Sequence, residues 1–315
     1  MRVVVTGATG VVGRALCARL VAAGHDVRGL ARPSASLDGM PAGVRMVRGD
    51  ITVAETLPAV VESAQVVIHL AGVQTAARRS TFRRVNVDGT RNMLDACRGR
   101  DVERFVFLSS LSAQGPSAPG HPHVFAGGEH PTDGFGESKL AAEKLVAAAS
   151  PGLRSTILRP AVVYGPSDPR LAAFGRLLKT RVAPLVPGLE LSFLHRDDLC
   201  ALIVQLTELP SAPLGPYFLS DGEPLSMERL VDLFERAGKG PPAVRLPLPA
   251  MLVERLARSV DRASTAAGIG GRVRRLARLL AAPGWACRPT LAEQQLGFRP
   301  QKRLEFELPA ALEGH

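Results

Sequence analysis

The chain has 315 residues, of which 46% are hydrophobic, and it carries a formal net charge of +10. This length allows one large domain or a large domain with a smaller lobe, and the apolar content excludes global disorder. Apolar runs stay shorter than the roughly 18 residues that a membrane helix needs, so we expect no membrane span.

The positive charge comes mostly from arginine, in a sequence rich in alanine, glycine and proline that is typical of a GC-rich genome. Because no lysine-rich tail or aromatic–basic platform accompanies the charge, we expect no nucleic-acid partner. The four cysteines lie far apart and form no metal-type pair, which predicts free thiols and no metal site. A strand predicted from position 2 leaves no room for a signal peptide, so we expect a cytoplasmic location.

Short apolar runs alternate with helical stretches through the first half of the chain. The pattern predicts strands at 2–6, 26–31, 44–48, 65–70, 104–109 and 154–159, and helices at 11–23, 81–98 and 137–149. Such alternation is typical of β-α units with right-handed crossovers. The predicted fold class is therefore α/β, a Rossmann-type doubly wound parallel sheet.

The turn between the first strand and the first helix has the spacing G-x-x-G-x-x-G. Glycine lets the backbone turn tightly and approach a pyrophosphate, and the helix N-terminus offers N–H groups to its oxygens. The strand-turn-helix context makes this a prediction of dinucleotide binding. The predicted contacts are Gly7, Thr9, Gly10, Val11, Val12 and Gly13.

The second strand ends in Leu30-Ala31-Arg32, where an NAD-binding chain usually carries an acid for the ribose 2′-hydroxyl. Arg32 can instead pair with a 2′-phosphate. We therefore predict NADP(H) as the cofactor, and NAD(H) stays an alternative.

A second lobe is predicted after the strands of the first half. Residues 1–165 are predicted to form the NADP-binding Rossmann domain, and residues 166–315 mainly a substrate-binding lobe that returns a strand to the sheet. Two helices with solvated arginines are predicted at 251–262 and 272–280. A loop at 112–134 that is rich in glycine, proline and histidine follows the fifth strand, at the edge where α/β folds bind ligands.

Several further motifs agree in order and spacing with one family. They are Thr6–Gly13, Gly49-Asp50-Ile51, His69-Leu70-Ala71-Gly72, Asn86–Thr90, Ser109-Ser110, Gly136-Glu137-Ser138-Lys139, Leu158–Pro166 and Leu296–Pro300. With these motifs the chain resembles the extended short-chain dehydrogenases, the NAD-dependent epimerase/dehydratase family, over nearly its whole length.

The resemblance implies positions for the cofactor. Asp50 and Ile51 would border the adenine, while Leu70, Ala71 and Gly72 would line the ribose and phosphate path. Pro160 and Val163 would cover one side of the nicotinamide. Asp198 matches a position at the start of a helix, where we expect it to serve as the N-cap.

The family's catalytic set is a Ser or Thr followed by Tyr-x-x-x-Lys, in which the tyrosine transfers the proton. By resemblance, Ser110 and Lys139 occupy the outer positions, and Lys139 would also hold the nicotinamide ribose. The tyrosine position is Phe135, whose ring has no exchangeable proton. Substitute donors are Tyr164, His121, His123, His130, Glu137 and Ser138.

Three functions remain open at this point. The first is an NAD(P)H-dependent ketoreductase whose small-molecule ketone, such as an aromatic polyketide in antibiotic tailoring, or water supplies the proton. The second is a non-catalytic NADP-binding regulator. The third is a sugar-nucleotide epimerase or dehydratase, which Phe135 disfavours because that chemistry begins with removal of a hydroxyl proton. The oligomeric state is not predicted.

Overall fold

A computed structural model describes residues 1–150, 152–209, 213–238, 244–249 and 282–313, together with residues 252, 253, 255 and 259. The predicted helices at 251–262 and 272–280 lie outside the described residues apart from those four positions. Among the helices that are described, none combines the length and apolarity that a membrane crossing requires.

The strands are β1 (Arg2–Thr6), β2 (Asp26–Ala31), β3 (Val44–Arg48), β4 (Val66–His69), β5 (Arg104–Leu108), β6 (Arg154–Pro160), β7 (Val162–Tyr164), β8 (Val182–Leu185), β9 (Glu190–Leu191), β10 (Phe193–His195), β11 (Tyr217–Leu219), β12 (Leu225–Ser226), β13 (Val244–Pro247) and β14 (Gly284–Trp285). The helices are α1 (Val11–Ala22), α2 (Pro58–Val61), α3 (Arg79–Phe82), α4 (Gly89–Cys97), α5 (Gly134–Ala149), α6 (Pro169–Leu178), α7 (Arg196–Glu208), α8 (Met227–Gly238), α9 (Thr290–Leu296) and α10 (Leu304–Leu312).

The main sheet has seven parallel strands in the order β11-β6-β5-β4-β1-β2-β3. The strand order reverses at β1, because β2 and β3 lie on one side of it while β4, β5 and β6 lie on the other. The predicted Rossmann-type fold is confirmed. Since all strands are parallel, the residues that follow them meet at one carboxyl edge, beside the reversal where such folds bind ligands.

The edge strand β11 comes from the second half of the chain and pairs with β6, Tyr217 opposite Leu158. The remaining strands of that half form small sheets, in the orders β10-β7, β12-β9-β14 and β13-β8. Buried apolar side chains of β7, β8, β10, α6, α8 and α10 form a hydrophobic cluster separate from the two that cover the faces of the main sheet. The boundary of two lobes near position 165 stays a prediction.

Two helices differ from their predicted course in ways that matter for the site. The segment predicted as one helix at 81–98 begins at Arg79 and contains a π-helical stretch, Arg83–Asp88, between α3 and α4. Helix α5 begins at Gly134 rather than 137, because Asp133 caps it by accepting a hydrogen bond from the Gly136 N–H at 2.7 Å. This earlier start places Phe135 in the first turn of the helix.

Candidate active site

The glycine turn forms a backbone cradle at the end of β1. The Gly10 N–H donates to the Gly7 oxygen at 3.0 Å, and Gly7 has a φ of +70° that side chains rarely adopt. A Cβ atom on Gly13 would lie 2.2 Å from the Gly7 oxygen, so the helix can pack this closely against the turn only because position 13 is glycine. Gly10 has no side chain with which to cap α1, which leaves the N–H groups of the first turn available to an anion. The cradle fits the pyrophosphate of a dinucleotide.

The end of β4 lies against this cradle. A Cβ on Gly7 would lie 2.9 Å from the Ala71 nitrogen, and the Ala71 N–H donates to Thr6 Oγ1 at 3.1 Å. The structure therefore brings the segment of Leu70, Ala71 and Gly72 beside the turn, and its predicted contact with the ribose and phosphates of the cofactor stays a prediction.

Two arginines, Arg14 and Arg48, hold the loop after β2 in place by donating hydrogen bonds to backbone carbonyls. Arg14, on α1, donates through Nε to the Thr9 oxygen at 3.0 Å and also bonds the Asp38 carbonyl. Arg48 donates to the carbonyls of Arg32 and Ala35, both at 2.8 Å. Within the described part of the chain, the exposed Arg32 guanidinium itself has no hydrogen bond or ion pair. The loop is thus held by its backbone while the Arg32 side chain stays available.

Asp50 and Ile51 follow β3 at the same edge. Asp50 Oδ1 accepts hydrogen bonds from the N–H and the hydroxyl of Thr52, at 2.8 and 2.9 Å. Ile51 is buried against Gly89, where a Cβ would lie 2.7 Å from Ile51 Cδ1. The pair forms a firm turn at the position predicted to border the adenine, and that contact stays a prediction.

Pro160 and Val163 stand at the opposite end of the edge. Pro160 pairs with Leu219 of β11, and the Ala161 N–H donates to the Leu219 oxygen at 2.9 Å. Val163 is half-buried in β7. The chain turns here from the main sheet into the smaller one, beside the region predicted for the nicotinamide.

Lys139 is buried on the first half of α5 and its ammonium faces the end of β4. Its Nζ lies 4.5 Å from the centroid of the Phe107 ring and 3.7 Å from where a Cβ on Gly72 would be. Burial lowers the pKa of Lys139 to about 8, although the Glu143 carboxylate opposes that shift. Across the residues that the structure describes, the ammonium has no hydrogen bond or ion pair. It is therefore available to donate to a ligand at the carboxyl edge of the sheet.

Phe135 lies one helical turn before Lys139 and is only 4% exposed. Its ring is tilted against Phe82, with the ring centroids 6.5 Å apart. Ser110 follows β5, is half-buried, and accepts a hydrogen bond from the Ser112 N–H at 3.1 Å. Because the Oγ of Ser110 acts as an acceptor there, its own hydroxyl proton remains available for donation.

The sequence pattern of the NAD dependent epimerase/dehydratase family matches residues 3–214. The chain belongs to this family. It is an NAD(P)-dependent oxidoreductase of the extended short-chain dehydrogenase type, and the predicted nicotinamide cofactor is confirmed. The choice between NADP and NAD stays a prediction.

Several curated relatives are reductases of ketones by name. A 2-alkyl-3-oxoalkanoate reductase of Shewanella oneidensis is 29% identical over 79% of this chain and 68% of its own length. The 4-hydroxy-2-methyl-3-oxo-4-farnesyl-3,4-dihydroquinoline-1-oxide ketoreductase of Stigmatella aurantiaca is 31% identical over 74% of this chain and 72% of its own.

Solved structures share the fold at lower identity. The UDP-glucose 4-epimerase of Thermotoga maritima superposes with a TM-score of 0.78 at 21% identity, covering 99% of this chain and 98% of its own. The UDP-glucuronic acid 4-epimerase of Bacillus cereus, solved with NAD, has a TM-score of 0.77 at 18% identity, covering 99% and 98%. These likenesses establish the fold and leave the reaction open.

The substitute proton donors of this family member are mostly engaged elsewhere. Tyr164 is buried and donates to Asp221 Oδ2 at 3.1 Å, and burial together with Asp221 raises the pKa of its phenol. Both ring nitrogens of His130 lie within hydrogen-bond distance of backbone carbonyls, at 2.9 and 3.1 Å. His123 contacts the Gly115 oxygen at 3.2 Å through Nε2 and stacks on Phe218.

The first turn of α5 offers no better donor among the described residues, and His121 lies exposed on the long loop. Glu137 is exposed and pairs with Arg79 at 2.9 Å. The Ser138 hydroxyl donates to the Phe135 oxygen at 2.7 Å and accepts from Asn86 Nδ2 at 2.8 Å.

The N-cap prediction for Asp198 is wrong. His195 caps α7, with its Nδ1 accepting from the Asp197 N–H at 3.1 Å. Asp198 lies inside the first turn, buried, and its Oδ2 accepts from the backbone N–H groups of Gln301 and Lys302 at 3.1 and 2.9 Å. The carboxylate ties α7 to the segment before α10, a distant contact that local sequence does not reveal.

A buried ionic network behind Lys139 was not predicted from the sequence. Glu143, one turn after Lys139, accepts from Arg159 Nε at 2.9 Å and from the Arg159 terminal nitrogen Nη2 at 2.6 Å. Arg159 also donates to Gln114 at 2.6 Å and to Glu129 at 3.0 Å, and the Ser109 hydroxyl donates to Glu143. The spacing of Glu143 from Lys139 on the helix was the signal available in the sequence.

No metal-binding group is found in the described part of the chain, where a site would need at least three His, Cys, Asp or Glu side chains together. All four cysteines are buried, and burial raises the pKa of each thiol to about 12. Such thiols are poor nucleophiles near neutral pH.

Proposed function

We propose that this chain reduces a ketone of a small molecule with NADPH, without a protein acid at position 135. The observation that carries the proposal is that two of the three catalytic positions, Ser110 and Lys139, keep groups that can bind a ligand while the third, Phe135, does not. Ser110 keeps an available hydroxyl and Lys139 an unengaged ammonium within the described structure, while a buried phenyl ring stands where the family's tyrosine belongs. The reductases among the relatives support ketone reduction over epimerisation.

The cofactor site supports a dinucleotide with a 2′-phosphate. The glycine cradle would hold the pyrophosphate, Lys139 the nicotinamide ribose, and Arg32 the 2′-phosphate through a charge-assisted contact. When bound, NADPH supplies the hydride that reduces the carbonyl carbon. Asp50, Ile51, Leu70, Ala71, Gly72, Pro160 and Val163 would complete the walls of this site.

The chain's own groups can polarise a carbonyl. The Ser110 hydroxyl can donate to the carbonyl oxygen, and the Lys139 ammonium adds positive charge where the alkoxide develops. Burial strengthens both effects because water screens them less.

The proton for the alkoxide must come from elsewhere than position 135. A phenol beside the ketone, as in an aromatic polyketide of antibiotic tailoring, would polarise the carbonyl by an internal hydrogen bond and deliver the proton itself. Water is the second source. The loss of a positioned acid costs roughly 10²–10⁴-fold in rate, which orientation beside the cofactor can outweigh. Residues 166–315 are proposed to supply most of the substrate contacts.

The test is NADPH oxidation with a panel of aromatic ketones, each paired with an analogue that lacks the neighbouring phenol. We expect turnover, faster with the phenol-bearing member of each pair. A chain that binds NADPH tightly yet reduces none of them would be the non-catalytic regulator instead. Tight binding and conversion of a nucleotide sugar would establish the epimerase or dehydratase alternative.

A further inference from the structure

Glu143 joins the two structural elements that carry the catalytic set. Its carboxylate is buried on α5, one helical turn beyond Lys139, and it accepts a hydrogen bond from the Ser109 hydroxyl at the end of β5. Ser109 is the immediate neighbour of Ser110. One side chain thus fixes the segment Ser109-Ser110, which follows β5, against the helix that carries Lys139.

Arg159 holds this carboxylate in place. It is 1% exposed and binds both oxygens of Glu143 in a two-point contact, at 2.9 and 2.6 Å. Burial opposes the charge of Arg159, but the bonds and charges of Glu143 and Glu129 outweigh it and raise the pKa of the guanidinium. A planar guanidinium in such a geometry fixes the orientation of its partner.

Side chains from three elements surround the Lys139 ammonium, and one of them is charged. Glu143 on α5 favours the ammonium, while His69 on β4 is buried and neutral, because burial and the Lys139 charge lower its pKa to about 3. Phe107 on β5 offers only its ring face. Glu143 is therefore the carboxylate that opposes the cost of burying the Lys139 ammonium.

We propose that Glu143 is a positioning residue of the active site, which holds Ser110 and Lys139 in register through Ser109 and keeps Lys139 charged. This inference rests on the proposed function, because Ser110 and Lys139 are assigned their catalytic roles there. Gln114 and Glu129, which also bind Arg159, extend the same network into the long loop that follows β5.

The variants are Glu143→Gln, which removes the charge at nearly constant shape, Glu143→Asp, which keeps it, and Glu137→Gln as the control. Glu137 lies on the same helix but is exposed and pairs with Arg79. The primary measurement is the titration of Lys139, observed by NMR of ¹³C-dimethylated lysines. The Lys139 signal is assigned as the one that is missing in Lys139→Arg. NADPH affinity and the pH dependence of kcat/KM for the best ketone are measured alongside.

We expect Glu143→Gln to lower the pH at which Lys139 loses its proton. The pH above which kcat/KM falls should be lowered with it. Glu143→Asp should restore much of the wild-type titration, and Glu137→Gln should change neither curve. An unchanged Lys139 titration in folded Glu143→Gln would overturn the proposal.

Ser109→Ala keeps the proposal testable if Glu143→Gln does not fold. It removes one hydrogen bond and no charge, so we expect kcat to fall roughly two- to tenfold with the Lys139 titration unchanged. An unchanged kcat would refute the registering role. If even the wild type reduces no ketone, the proposed function fails, while the Lys139 titration in Glu143→Gln, compared with Glu143→Asp and Glu137→Gln, still decides whether Glu143 favours the charged form of Lys139.

Discussion

The ammonium of Lys139 lies 4.5 Å from the centroid of the Phe107 ring, beside the turn that follows β4. A cation over a ring face is stabilised without a hydrogen bond, so the three N–H donors of Lys139 remain available to a ligand. Burial lowers the pKa of Lys139 to about 8 while the Glu143 carboxylate opposes that shift, so the ammonium is still mostly charged at neutral pH.

Replacement of Lys139 should therefore affect both cofactor and turnover. We expect Lys139→Ala to weaken NADPH binding and cut kcat/KM by roughly ten- to hundredfold, since charge-assisted contacts contribute about 1.5–3 kcal/mol. Wild-type turnover should fall as the pH rises through about 8, where the ammonium is lost. Lys144 is exposed on the same helix, so Lys144→Ala is the control for the NADPH-binding titrations and the steady-state rates. Normal binding and reduction by Lys139→Ala would show that the motif match is accidental.

Arg32 should discriminate between the two nicotinamide cofactors. We expect Arg32→Ala to weaken NADPH binding about tenfold or more and to leave NADH nearly unchanged, because only NADPH carries the 2′-phosphate. Fluorescence titrations with both cofactors measure this, with exposed Arg45 of β3 changed to Ala as the matched control. Equal losses for NADPH and NADH would refute the assignment.

Phe135→Tyr separates two explanations of the missing acid. If the substrate supplies its own proton, the new hydroxyl should give little gain, and it costs about 1–3 kcal/mol if it finds no partner in this buried position. If the site merely tolerates a lost acid, tyrosine should restore part of roughly 10²–10⁴-fold. The comparison is kcat/KM of both proteins with ketones that have and lack a neighbouring phenol. A large gain with every ketone would reject substrate assistance.

His69 should make the fold sensitive to acid. It is buried, with Nδ1 at 2.8 Å from Thr6 Oγ1 and Nε2 at 3.1 Å from Thr90 Oγ1, and burial lowers its pKa to about 3. The unfolded chain binds a proton below about 6.5 while the folded chain does not until about 3, so stability is lost as the pH falls through that window.

From pH 7 to pH 5 we expect this residue to cost the wild type about 2 kcal/mol of unfolding free energy. His69→Gln, which does not titrate, should lose less over the same interval in urea denaturation. The same acid loss in both proteins would assign the effect to other groups.

Local patterns in the sequence predicted the first six strands and the glycine turn after β1, and the resemblance to the family identified Phe135 at the tyrosine position. Strands such as β4 are continuous apolar runs, and Gly7, Gly10 and Gly13 meet steric demands within a few residues of one another. Such features depend on neighbours in the chain, so the residues themselves report them.

Tertiary structure alone decided the contacts between distant segments. Ser109, Glu143 and Arg159 meet because β5, α5 and β6 are adjacent in the folded sheet, and Asp198 binds backbone more than a hundred positions away. The early start of α5, in contrast, depends on a local contact, the cap that Asp133 makes to the Gly136 N–H. A buried carboxylate takes whichever donors folding brings to it, and nothing in its local sequence identifies them.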